Sequence, residues 1–282
     1  MPPKRHLQRI RGVLRRPMRY FFVPPEDLGE QTVVIAGQEA RHMGKVLRLK
    51  PGMVVGLCDG GGLQGEARIA AMTRERVTLE VLRRYPSPRE PAGELVVAQA
   101  LLKDQKMDLL LRQLTELGIT GWQPFISQRS VPQPDARRQA GRTERWARIA
   151  REAVKQCRRG RVPDLAGVEP FEGVLQGGSL FDERLLFWEG ARQALPSLPE
   201  NICGASRKIL MVVGPEGGFT EAEAARADAC GFRLTALGPR ILRAETAAVA
   251  ACALVQHLYG DLGRVRDAND AEARGGGDCE TL

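Results

Sequence analysis

The sequence predicts an α/β domain with a largely parallel sheet, preceded by a small β-barrel, and three observations carry that prediction. From Met18 to about Arg84, short β-rich runs are separated by turn residues. The eight residues from Pro86 to Gly93 hold three prolines and a glycine, a stiff connector that no regular element accommodates. Beyond it strand and helix patterns alternate, which calls for a parallel sheet with helices on its faces. The expected parts are therefore an extension at 1–17, a barrel at 18–85, an α/β domain at 94–262 and a tail at 263–282.

Residues 1–17 carry six basic side chains and no acidic one, lack the apolar core of a secretory signal, and read as an unstructured arm ahead of Met18, an alternative start. In the barrel, Tyr20–Val23, Thr32–Ile35, Met53–Cys58 and Arg76–Leu82 read as strands. A helix from Gln38 to Leu49 interrupts them, with Ala40, Met43, Val46 and Leu47 on one face and Pro51-Gly52 as its stop. The run Gly60-Gly61-Gly62-Leu63-Gln64-Gly65 satisfies the dinucleotide pattern G-x-G-x-x-G. That pattern needs a helix after the glycines, whereas Glu66-Ala67-Arg68-Ile69-Ala70 alternates like a strand, so a hairpin is expected.

In the second domain the expected order is strand Glu94–Ala100, helix Asp104–Leu117, strand Trp122–Ile126 and helix Thr143–Cys157. A Gly/Pro-rich stretch leads to strands Arg184–Trp188 and Lys208–Val213, helix Glu221–Cys230, strand Phe232–Leu237 and helix Thr246–Tyr259, the last capped by Thr246. The tail contains Gly275-Gly276-Gly277 without apolar periodicity and reads as disordered.

Charge and composition narrow the function. The chain of 282 residues has a net charge of +8, and between Arg137 and Arg161 ten basic residues face only Glu144 and Glu152. So unbalanced a stretch repels itself unless an anion neutralises it, which points to nucleic acid. No run approaches the roughly 18 apolar residues of a membrane span. Six cysteines form no C-x-x-C pair and have three histidines to assist them, so a metal site is not expected, and reduced thiols in the cytoplasm are.

Two loops carry the candidate chemistry. Leu210-Met211-Val212-Val213 is a buried strand, Gly214-Pro215-Glu216-Gly217-Gly218 a tight loop at its carboxyl end, and Thr220 with Glu223 the capping box of the next helix. Ligands of open α/β sheets bind beyond such carboxyl ends. With no P-loop Lys-Ser/Thr following, a nucleoside without a polyphosphate suits the loop better than ATP. The second loop, Leu237-Gly238-Pro239-Arg240-Ile241-Leu242-Arg243-Ala244-Glu245-Thr246-Ala247, sets two arginines and a glutamate before an Ala-rich helix.

Together, Val213–Thr220 and Leu237–Ala247 resemble the two signatures of the RsmE family, the 16S ribosomal RNA (uracil-N3)-methyltransferases of the SPOUT superfamily. The resemblance runs from about Met18 to Gly263 and includes His42, Val46-Leu47-Arg48, Lys106-Met107, Glu116-Leu117-Gly118, Gln156-Cys157 and Arg161-Val162-Pro163. Ala244 stands where the family commonly has Thr. It implies a PUA-like barrel and a SPOUT domain knotted as a trefoil, a homodimer, a cytoplasmic enzyme, and S-adenosylmethionine held by three loops. Carried onto this sequence, the donor site comprises Glu189, Gly214, Glu216, Gly217, Gly218, Leu237, Gly238, Ile241 and Leu242. Uracil N3 carries a hydrogen and no free lone pair, so a cation must stabilise its anion or a base must take its proton. Arg243 and Glu245 are the expected pair, with Arg240 and Glu216 as alternatives. Arg19, His42, Arg48, Arg158, Arg159 and Arg161 are the expected phosphate contacts to the 16S rRNA of the small ribosomal subunit. A SPOUT enzyme acting on another RNA or on a ribose oxygen, and a non-catalytic RNA-binding or assembly protein, are the competing readings.

Overall fold

The computed structural model describes residues 18–103, 105–132, 136–195 and 207–263, with 136–140 described by backbone alone. The expected arm (1–17), nearly all of the expected tail, Asp104 and the side chains of Arg137 and Arg138 lie outside the described residues. The chain forms two compact units, the first running to Tyr85 apart from Gly60–Gly62, the second comprising Gly60–Gly62 and Pro86 onward.

The first unit contains β1 (Tyr20–Phe22), α1 (Pro25–Gly29), β2 (Thr32–Ala36), α2 (Gly37–Arg41), β3 (Val54–Cys58), β4 (Leu63–Met72) and β5 (Arg76–Pro86). Its sheet runs β1-β3-β4-β5-β2, an open half-barrel in which β1 lies parallel to β3 while β3–β4 and β2–β5 are antiparallel. The period-2 patterns explain the curl: Val33, Ile35, Leu57, Ile69, Val77 and Leu79 all point into one core. The Gly60 turn joins β3 to β4 with Leu57 opposite Gly65, so it is a hairpin. The expected helix from Gln38 is two pieces, α2 and a π turn at His42–Val46, ending at Arg48 with φ +52°. α1 is too short for periodicity to reveal.

The second unit contains β6 (Glu94–Ala100), α3 (Lys106–Glu116), β7 (Gly121–Ile126), α4 (Ala136–Cys157), β8 (Asp164–Leu165), β9 (Glu169–Pro170), α5 (Phe171–Gly177), β10 (Glu183–Phe187), β11 (Lys208–Val213), α6 (Glu221–Ala229), β12 (Arg233–Thr235) and α7 (Ala244–Tyr259). The sheet order is β12-β10-β11-β6-β7-β8, with β9 also on β7, and these pairings are parallel. Alternate residues of the central strands serve two cores. Leu95, Val97, Leu185, Phe187, Ile209, Met211 and Val213 meet α3, α4 and α7, whereas Ala98, Leu186, Leu210 and Val212 meet α5 and α6.

Three helix starts in this unit differ from expectation, α3 opening at Lys106 and not at Asp104. α4 begins at Ala136, earlier than Thr143, because its apolar stripe opens only at Trp146 and the residues 136–140 are Ala, Arg and Gln, good helix formers. α7 begins at Ala244, so Thr246 is its third residue and not its cap; extended Arg243 occupies the cap position without a side-chain cap bond. Residues 196–206, between β10 and β11, lie outside the described residues.

Candidate active site

Because β10, β11 and β12 are parallel and β10 lies between the other two, their carboxyl ends open on one edge of the sheet. The loops leaving those ends enclose a cavity of about 400 Å³. The nine residues expected to hold a donor, Glu189, Gly214, Glu216, Gly217, Gly218, Leu237, Gly238, Ile241 and Leu242, all line it. So do Arg240, Trp188, Pro215, Phe219, Ala236 and Pro239, with Ala244 and Ala247 entering from α7. The size falls within the roughly 300–1,000 Å³ usual for small-molecule sites.

The glycine loop is held from outside. The buried Gln99 amide donates to the carbonyls of Gly214 and Ala100, each at 3.0 Å, and Arg129 Nη1 donates to Gly217 O at 2.8 Å. Thr220 caps α6 reciprocally with Glu223, as expected, and the other Glu223 oxygen accepts from Gln128 N at 2.8 Å. Gly218 sits at φ +67° with the Glu189 carboxylate against the place a side chain would occupy. Of the braces not expected from the sequence, Gln99 is the one whose context marks it, a lone amide in the otherwise apolar run from Leu95 to Ala100.

Lys106 joins two of the site carboxylates. Its Nζ lies 3.0 Å from Glu216 Oε1 and 3.5 Å from Glu245 Oε2. Hydrogen bonding to Glu216 raises the lysine's pKa. Burial pushes the Glu216 carboxyl up, but the Lys106 ammonium and the backbone N–H groups of Glu216 and Lys103 outweigh it, leaving the group below its ordinary value and a poor proton acceptor. Arg243 and Glu245 stand just outside the cavity lining, at the start of α7, with Arg243 exposed and Glu245 half-buried.

The expected phosphate contacts fare differently. In the first unit Arg19, His42 and Arg48 are exposed. In the second, Arg158 is half-buried with left-handed φ +63°, and Arg161 pairs with Asp164 at 3.2 Å. Arg159 is a correction: only 3% exposed, its guanidinium donates to Glu90 at 2.9 and 3.1 Å and to the carbonyls of Thr115 and Ile119 at 2.9 Å each. It is a structural ion pair that no phosphate can reach. Among the described residues there is no cluster able to hold a metal and no helix long and apolar enough to cross a membrane.

Comparison with known proteins agrees over both units. The chain matches the RNA methyltransferase domain family over residues 88–256 and the RNA methyltransferase PUA domain family over residues 35–82. The Bacillus subtilis ribosomal RNA small subunit methyltransferase E is 31% identical over 246 residues, 85% of this chain and 96% of that one. Its Synechocystis counterpart is 32% identical over 240 residues, covering 84% and 77%. The crystal structure of a ribosomal RNA small subunit methyltransferase E from Neisseria gonorrhoeae, bound to S-adenosyl methionine, is 33% identical with a TM-score of 0.77, covering 86% of this chain and 99% of that one. A PUA-like half-barrel followed by a SPOUT-type parallel α/β domain, with its loops gathered over one cavity, is thus the architecture of a shared lineage, and the chain belongs to the ribosomal RNA small subunit methyltransferase E family.

Proposed function

We propose that this chain is a cytoplasmic, S-adenosylmethionine-dependent methyltransferase acting on N3 of a uridine in 16S rRNA. One observation carries the reading: the cavity over β10, β11 and β12, built from peptide-rich loops, in a chain whose Neisseria relative was solved with that donor. The lining fits the group. A side chain at Gly218 would meet Glu189 and one at Gly214 would meet the Phe219 ring, so glycine at both positions keeps these cavity-lining groups in place. Leu237, Ile241, Ala244 and Ala247 offer an apolar wall for a base, Glu189 a carboxylate for hydroxyl groups, and the lining contains no lysine to hold a polyphosphate.

When bound, the donor supplies an electrophilic methyl group on a sulfonium. The protein's share is alignment and the handling of one proton. Arg243 stabilises the uracil anion by its charge, and Glu245 accepts the N3 proton. Glu216, which Lys106 and two backbone N–H groups hold below its ordinary pKa, braces its loop. Arg19, His42, Arg48, Arg158 and Arg161 contact phosphates. Ile241 is 89% exposed although it lines the cavity, and Leu254 on α7 is 44% exposed, which supports a homodimer whose partner covers this edge.

The test is product analysis. Nucleosides from small-subunit rRNA of a deletion strain lack 3-methyluridine and regain it with the gene; unchanged 3-methyluridine sinks the assignment. In the purified enzyme, Arg243→Ala leaves donor affinity near wild type and lowers turnover, whereas equal loss of both makes Arg243 a donor ligand.

A further inference from the structure

We infer that Lys106 is a positioning residue that links the donor loop to the proton acceptor, holding Glu245 in register with the Glu216 loop. The inference rests on the methyltransferase reading above. Three elements far apart in sequence meet at one ammonium. Lys106 opens α3, Glu216 comes from the loop after β11, and Glu245 lies in the first turn of α7. Glu216 Oε1 accepts both from Lys106 Nζ at 3.0 Å and from Lys103 N at 3.2 Å, so the loop end of the bridge is pinned twice. At the other end, Glu245 Oε2 is buried and makes no hydrogen bond among the described residues. An oxygen so placed is costly unless a cation stands beside it, and Lys106, 3.5 Å away, is that cation.

The lysine's own position argues the same way. A cation in the first turn of a helix opposes the helix dipole, a cost that the two carboxylates offset. The bridge also joins distinct tasks, because Glu216 lines the donor cavity whereas Glu245 stands outside the lining. With Oε2 committed to Lys106, the other Glu245 oxygen takes the proton as the N3–H bond breaks and its electron pair stays on nitrogen.

The experiment measures methyl transfer to small ribosomal subunits by the full-length protein and by Lys106→Met, Lys106→Arg, Glu245→Gln and the Lys106→Met/Glu245→Gln double variant. Lys106→Met is expected to lower kcat about 10- to 100-fold with KM for RNA and donor affinity changed less than about threefold, and Lys106→Arg to recover at least about a third of the loss. Because Lys106 acts through Glu245, the double variant is expected within about threefold of Glu245→Gln alone. Additive losses, a defect confined to donor KM, or no rescue by arginine overturns the inference. Lys106→Gln replaces the methionine variant, under the same criteria, if the latter does not fold. A wild-type protein that makes no 3-methyluridine defeats the parent reading, whereas an active one whose Lys106→Met turns over normally defeats this inference alone.

Discussion

The turn at Gly60–Gly65 and the turn at Gly214–Gly218 both follow a buried apolar strand, yet one closes a hairpin and the other opens a cavity. After Cys58 the chain alternates and returns antiparallel, so the peptides flanking the glycines are absorbed into the ladder between β3 and β4. After Val213 a return is barred, because β11 already has parallel partners on both sides, β10 and β6. The chain leaves the sheet through the capping box of α6, and the glycine loop stays at the open edge, where it lines the cavity. Glycine spacing alone does not separate these outcomes; the period of the residues that follow does.

Substitutions can break or sharpen that contrast. The largest expected effect is Gly218→Val, where left-handed backbone and the adjacent Glu189 leave no room: calorimetry should find donor affinity reduced at least about 100-fold with circular dichroism unchanged. Gly62→Ala in the hairpin also forces a side chain onto positive φ, +116°, but into open space. Denaturant unfolding should show a loss of about 1–2 kcal/mol with donor affinity as in wild type; a weakened donor would erase the contrast. Thr220→Ala removes half the capping box and is expected to cost about 1 kcal/mol, with a smaller loss of donor affinity than Gly218→Val because Gln99 and Arg129 still hold the loop.

The smallest effect is one of pH. Folding depresses the Glu216 carboxyl below its ordinary 4.5, so its contribution is present above that value and is lost as pH falls through the lower folded value. The melting temperature of wild type should therefore exceed that of Glu216→Gln near neutrality, with the gap closing on acidification below about pH 4.5. A gap that is constant with pH would mean that the loop does not depend on this charge.

What the sequence reveals of this molecule follows the range of the forces involved. Glu94–Ala100 and Lys208–Val213 are legible to the residue because strands buried on both faces are largely apolar runs, each opened here by a charged residue. Thr220 and Glu223 are legible because a capping box is a local pattern. The loops that line the cavity are recognisable through the resemblance of Val213–Thr220 and Leu237–Ala247 to the family's two signatures. The partners of Lys106 are not legible, since Glu216 and Glu245 lie more than a hundred positions away and only the parallel topology brings them together. Arg159 misleads for the same reason: within an arginine-rich stretch nothing local distinguishes it from Arg158 or Arg161, and Glu90 lies across the fold of the second unit. Thr246 misleads because a threonine before an Ala-rich run resembles a cap, while the true helix starts two residues earlier.

The buried Arg159–Glu90 pair bears on how tightly this protein can grip a polyanion. Affinity for nucleic acid gains entropy when a protein cation displaces condensed counterions, and the salt dependence counts the cations that do so. Arg159 meets its counter-charge during folding, through Glu90, and enters no such exchange. The tally of positive charge around α4 thus overstates the number of ions set free on binding by at least one, and the salt titration should be correspondingly shallower than the sequence implies.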